Sequence, residues 1–72
     1  MNSPFVVDQS KLIAERAQIE NPDNPVERCF ELLLTRKPIE EEKKICNEIA
    51  NSNGLEIVAR TLINSNEFAF LP

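Results

Sequence analysis

The stretch Leu32-Leu33-Leu34-Thr35-Arg36-Lys37-Pro38-Ile39-Glu40-Glu41-Glu42 ends one helical pattern, turns, and begins another. Pro38 sets the break. A proline pushes the residue before it out of the α region, so the first helix must stop by Lys37. Arg36 and Lys37 then stand at the negative end of one helix dipole. Glu40, Glu41 and Glu42 stand at the positive end of the next, where carboxylates are favoured. Lys43 and Lys44 follow at the spacing that pairs with Glu40. The segments on either side therefore read as the two arms of a helical hairpin, with the rest of the chain packed on them.

The arm before the turn starts at Asn24-Pro25. Asn24 can cap, Pro25 suits the first helical position, and Glu27 can reach back as the acidic member of a capping box. Val26, Cys29, Phe30 and Leu33 give this arm a buried face, which Leu32 and Leu34 widen. Three consecutive leucines imply that other helices wrap it on more than one side. Upstream, Asn21-Pro22-Asp23-Asn24-Pro25 is a loop. Before it runs a helix opened by Ser3 as cap and Pro4 at the first position. Its stripe is Phe5, Val6, Gln9, Leu12, Ile13, Arg16, Ala17 and Ile19, with Lys11 and Glu15 on the opposite side.

The arm after the turn has Ile45, Cys46, Ile49 and Ala50 as its inner stripe. Asn53-Gly54 closes it, with Gly54 in the left-handed conformation of a helix end. A last helix follows on Leu55, Val58, Ala59, Leu62 and Ile63. In the tail, Phe68, Phe70 and Leu71 are too apolar to stand in water and are expected to fold back on the bundle. The fold class is all-α. We expect a compact bundle of four short helices over about residues 4–20, 25–36, 39–53 and 55–64, forming a single domain with the tail packed back on it.

Composition bounds what such a bundle can do. The chain has 72 residues, one glycine, no histidine and 42% apolar residues. Its mean hydropathy is −0.30, the value of a globular chain rather than a disordered one. At this length one core forms, with little room for an internal catalytic cavity. A net charge of −4 argues against nucleic acid and against anionic membrane surfaces as partners. No apolar run is long enough to span a bilayer, so no membrane partner is expected. Met1 precedes a polar Asn-Ser-Pro rather than a basic and then apolar leader, so no signal peptide is expected in this stretch.

The groups that carry chemistry do not converge. Glu40, Glu41 and Glu42 are successive helical residues pointing about 100° apart, so they cannot meet on one ion. With no histidine, neither a Glu-x-x-His metal pattern nor a serine triad can be assembled. Cys29 and Cys46 form no zinc or haem motif. They lie nearly equidistant from the turn, at one height on facing helices. A disulfide wants Cα atoms within about 7 Å, whereas helix axes stand about 8–10 Å apart, so two buried thiols are expected and the bridge is the alternative. No catalytic, cofactor or metal residue is assigned. Arg36 is singled out as a structural clamp beside Pro38, bonding helix-end carbonyls and one carboxylate, with Glu42 and Glu67 as the candidate partners.

These residues also carry a family resemblance. Asn2-Ser3-Pro4-Phe5-Val6, then Gln9 and Leu12-Ile13-Ala14-Glu15-Arg16, then Leu32 to Pro38 with Glu41 and Glu42, then Leu62-Ile63-Asn64-Ser65-Asn66-Glu67-Phe68, occur in one order. The sequence resembles the extreme C-terminal part of the planctomycete PSD-type domain of unknown function, over essentially its whole length. The family usually has a small residue and glycine before the arginine, where this chain has Leu34-Thr35. It often has Pro-Thr before the acidic helix, where this chain has Pro38-Ile39 and so lacks the hydroxyl cap.

The resemblance implies a much longer, exported, periplasmic parent protein, with a cytochrome-c-like region far upstream. Any haem would be held there, and no cofactor is expected in this fragment. Upstream domains of the parent chain are then the expected partners, with a weak homodimer as a further one. The function expected is a non-catalytic structural and protein-interaction module. A carbohydrate- or peptide-binding module, or a fragment of an enzyme whose active site lies upstream, is the alternative.

Overall fold

The computed structural model describes residues 3–65, within which the chain forms four helices and no strand. They are α1 (Pro4–Glu20), α2 (Pro25–Leu34), α3 (Glu40–Asn53) and α4 (Leu55–Ile63). The tail with Glu67, Phe68, Phe70 and Leu71, and the packing expected of it, lie outside the described residues.

Helix boundaries follow local chemistry. The Ser3 hydroxyl accepts from the Val6 amide at 3.3 Å, and Pro4 opens α1. Asn21 ends it, its amide donating to the Ala17 carbonyl at 2.9 Å. The expected capping box at Asn24 does not form. The Asn24 amide is taken instead by Asn21, through its carbonyl at 3.1 Å and its side-chain oxygen at 3.2 Å. Glu27 accepts from the Asn24 side chain at 3.3 Å rather than from its backbone.

α2 stops at Leu34 rather than near Arg36, because Thr35 turns left-handed with φ 57°. That conformation is uncommon for a β-branched residue. α3 begins one residue later than expected, at Glu40, with Ile39 as its cap. Isoleucine has no acceptor, so only half of a capping box exists: Glu42 Oε1 accepts from the Ile39 amide at 2.9 Å. Neither Lys43 nor Lys44 pairs with Glu40 among the described residues, so the first turn of α3 is held by Glu42 alone.

Gly54 ends α3 and starts α4 at once. Its φ of 96° with ψ 159° is not the expected left-handed helical conformation but an extended one open essentially to glycine only. This permits the abrupt redirection with no intervening loop. Ile63 is the last residue of α4, one short of the expected end.

The packing differs from a simple hairpin with two flanking helices. α2 and α4 form the central pair, each touching all three other helices, while α1 and α3 do not touch. The contact between α2 and α3, the expected hairpin arms, is the slightest of those that form. The left-handed Thr35 and the extended Ile39 redirect the chain between α2 and α3, and α4 packs against both, burying Val58, Ala59 and Leu62.

The core is Ala17, Val26, Cys29, Phe30, Cys46, Val58, Ala59 and Leu62, with Leu32, Leu33 and Leu34 partly buried against it. On α1 the inner line is Val6, Ser10 and Ala17, with Ile13 partly covered. Ser10 is fully buried because its hydroxyl donates to the Val6 carbonyl one turn back, at 2.7 Å. Three residues expected on the buried stripe face outward instead: Phe5 is 71% exposed, Leu12 58% and Ile19 80%. Ile45 of α3 likewise points out, at 57%. A helix covered on one side has room for only one apolar line, and the smaller side chains took it on α1.

Candidate functional site

The most concentrated polar chemistry lies at the turn between α2 and α3. Pro38 and the left-handed Thr35 bring the chain around so that Arg36 lies beside the first turn of α3. The Arg36 guanidinium meets the Glu42 carboxylate with two parallel bonds of 2.8 Å, Nη1 to Oε1 and Nη2 to Oε2. Nη1 also donates to the Lys37 carbonyl at 3.1 Å. The same guanidinium stacks 5.5 Å from the ring centre of the buried Phe30. Glu42 in turn caps α3 through Ile39. The Arg36 bonds first, and the Ile39 amide second, hold the Glu42 carboxyl down at about 2.

Of the residues singled out from the sequence, Arg36, Pro38 and Glu42 come together; Glu67 lies outside the described residues. The neighbouring Glu40 and Glu41 stay exposed and take no part. What the arrangement does chemically is fix a turn. The carboxylate is neutralised by its arginine and amide, and the guanidinium is occupied on its edge and on its face.

A second polar knot spans the α1–α2 turn, and nothing in the sequence reading marked it. Glu20 accepts from Arg16 at 2.8 Å and from Arg28 at 2.7 Å, and Arg28 also reaches Glu31 at 3.4 Å. Arg16 and then Arg28 draw the Glu20 carboxyl below its usual range, and Glu20 raises Arg28. The available signal was positional: Glu20 is the last residue of α1, and Arg28 stands as far past Asn24 as Glu20 stands before it.

Cys29 and Cys46 are both buried and free. Burial, then the nearby Cys46, pushes the Cys29 thiol up to about 11, and burial raises Cys46 as well. A thiol held protonated is a poor nucleophile, and the two side chains fill the core as small apolar groups. Among the described residues no three His, Cys, Asp or Glu side chains gather as a metal ion would require. None of the helices there is long and apolar enough to cross a membrane.

Two hollows mark the surface. One, of about 400 Å³, is shallow and open, lined by Ala14, Glu15, Gln18, Ile19 and Leu55. The other, of about 180 Å³, is a narrower apolar groove between Phe5, Val6, Gln9, Ile13, Leu33 and Ile63. Ile19 borders the first and Phe5 the second, so the exposed apolar line of α1 runs from one hollow to the other. Comparison with protein families, with characterised proteins and with solved structures finds no match to this chain.

Proposed function

We propose that this chain is a non-catalytic helical module, the C-terminal part of a large exported bacterial protein, with a structural and protein-interaction role and no cofactor of its own. The observation that carries the reading is the outward line Phe5, Leu12 and Ile19, each more than half exposed. Large apolar groups aligned on one face are characteristic of a contact surface. The polar groups of the α2–α3 turn support the same reading, because Arg36 and Glu42 are spent on one another. The left-handed φ of Thr35 supports the family resemblance. It falls where that family usually carries glycine, the residue that takes such a φ without strain.

The groove beside Phe5 favours a second reading, a module that binds a short apolar peptide. Titration of the isotope-labelled chain with soluble polysaccharide fragments and with short apolar peptides separates the two by amide shifts. No saturable shift with either is expected. A saturable shift centred on Gln9, Leu33 and Ile63 would replace the first reading by the second.

A further inference from the structure

We propose that the outer face of α1 pairs with the same face of a second copy of this chain, the two α1 helices lying side by side and parallel. The proposal rests on the reading of the chain as an interaction module and narrows it to one surface and one partner.

Phe5, Leu12 and Ile19 recur every seven residues. Seven residues fall about 20° short of two full helical turns, so these side chains form a line that slants slowly around the helix. At about 1.5 Å per residue the line is about 21 Å long. Such a line is the seam of two helices crossing at a shallow left-handed angle. It faces away from the core, which α1 contacts through Val6, Ser10 and Ala17. α3 does not touch α1 at all.

The residues bordering the line decide both the partner and the direction. At 100° per residue, Asp8 and Glu15 flank the line on one side, and Gln9 and Arg16 on the other. A two-fold axis parallel to the helices brings opposite flanks together. Glu15 of each copy then meets Arg16 of the other, Asp8 meets Gln9, and the apolar residues stack like on like. An antiparallel pair brings equal flanks together and sets Asp8 against Glu15, two carboxylates. The charge pattern is therefore self-complementary in the parallel arrangement and repulsive in the other.

Asp8 and Glu15 are exposed and enter no ion pair among the described residues. Arg16 is 57% exposed and uses only Nε on Glu20, which leaves its terminal nitrogens for the partner carboxylate. Three apolar layers and two rim ion pairs fall short of the roughly 1,000 Å² of a stable interface. The dimer is accordingly in exchange with monomer, with a Kd on the order of 0.1 mM.

Sedimentation equilibrium of the full chain tests this. The expected result is an average mass near the monomer's 8.2 kDa when dilute, rising toward twice that at about millimolar concentration. Leu12→Glu, at an exposed position, should abolish the rise while leaving helix content and the dilute thermal midpoint unchanged. Ile19→Cys should give a covalent dimer on mild oxidation, since only the parallel pairing sets position 19 against itself. The wild-type chain, whose two thiols are buried, is the control. A monomer at every concentration overturns the proposal, as does a dimer that Leu12→Glu leaves intact. A dimer that Ile19→Cys does not cross-link overturns it too. None of these results touches the peptide and polysaccharide titration on which the module reading stands.

Discussion

The two turns that flank α2 are built on opposite plans. The α1–α2 turn, residues 21–24, joins helices that pack broadly against each other, and Asn21 bonds hold its backbone at both ends. Its ion pairs, Glu20 with Arg16 and Arg28, sit over a geometry that packing already determines. The α2–α3 turn, residues 35–39, joins helices in slight contact. There a left-handed threonine, a proline and the Arg36–Glu42 pair set the direction of α3. Similar charges therefore carry different weight: where packing is thin, one bidentate pair and one cap decide where a helix goes.

Removing Glu42 should accordingly be the most damaging change at either turn. Glu42→Ala deletes a helix cap, typically about 1 kcal/mol, and a surface ion pair with good geometry, up to about 1 kcal/mol more. Chemical denaturation should show a loss of about 1.5–2 kcal/mol. Glu20→Ala, which removes ion pairs but no cap, should lose clearly less than that. Equal losses would mean that the two turns are held alike and that the contrast drawn from their packing is wrong.

Acid should expose the same asymmetry. Glu42 has a folded-state carboxyl near 2 against an ordinary value of 4.5. A carboxyl depressed on folding stabilises the protein above its unfolded value and loses that contribution as pH falls toward the folded value. The loss therefore runs between about pH 4.5 and pH 2 and, with solvent screening of this surface pair, amounts to about 1 kcal/mol. Glu20 is lowered in the same sense by Arg16 and Arg28, so it adds to the slope. Stability measured against pH should flatten over this window in Glu42→Gln, and less in Glu20→Gln.

Much of the fold was legible in the sequence; a few local details differ, such as the cap at Asn24 and the conformation of Gly54, while the misses in packing share one cause. Ser3-Pro4, Asn21 to Pro25, Pro38 and Asn53-Gly54 place the four helices to within two residues, since caps and prolines act locally. Glu42 was legible as one of two candidate partners of Arg36, with Glu67, because it stands one turn past the proline on the facing helix start; the structure joins Arg36 to Glu42. What local pattern does not hold is the order of packing. Nothing in residues 32–42 shows that α4 will pack on both hairpin arms more broadly than they pack on each other. On α1, period put Phe5, Val6, Leu12, Ile13, Ala17 and Ile19 on one broad stripe, and only the neighbours' shape decides that Val6 and Ala17 are buried while Phe5, Leu12 and Ile19 are not. The Glu20–Arg28 pair escaped for the same reason, since it needs the angle between α1 and α2.

Thr35 offers a way to strengthen the weaker turn. Its φ of 57° is a conformation that a β-branched residue adopts at a cost and glycine adopts freely. Against this, glycine raises the entropy of the unfolded chain, and the Thr35 hydroxyl gives up its 2.6 Å bond to the Leu34 carbonyl. Relief of the strain should prevail, because that hydroxyl is exposed and can bond water equally well. Thr35→Gly should gain about 0.5 kcal/mol and raise the thermal midpoint by about 2–4 °C. An unchanged or lowered midpoint would show that α2 is stopped by Pro38 and the Arg36 pair without help from residue 35.

The smallest effect should come from Arg28. Its carboxylate partners, Glu20 at 2.7 Å and Glu31 at 3.4 Å, are each about a third exposed. Such pairs contribute about 0.2–1 kcal/mol at most and fade with salt. Arg28→Ala should therefore cost less than any other change named at the two turns, and a double-mutant cycle with Glu20→Ala should return only a small coupling. The matching cycle of Arg36→Ala with Glu42→Ala should return about 1 kcal/mol, since two parallel bonds, the Phe30 ring and the Ile39 cap act on one carboxylate–guanidinium pair. Raising the salt concentration should shrink the first coupling more than the second. The two pairs are about equally exposed, Arg28 and Glu20 at 29% and 34% and Arg36 and Glu42 at 34% and 32%, so the difference rests on the second bond and on the Phe30 ring under Arg36 rather than on burial.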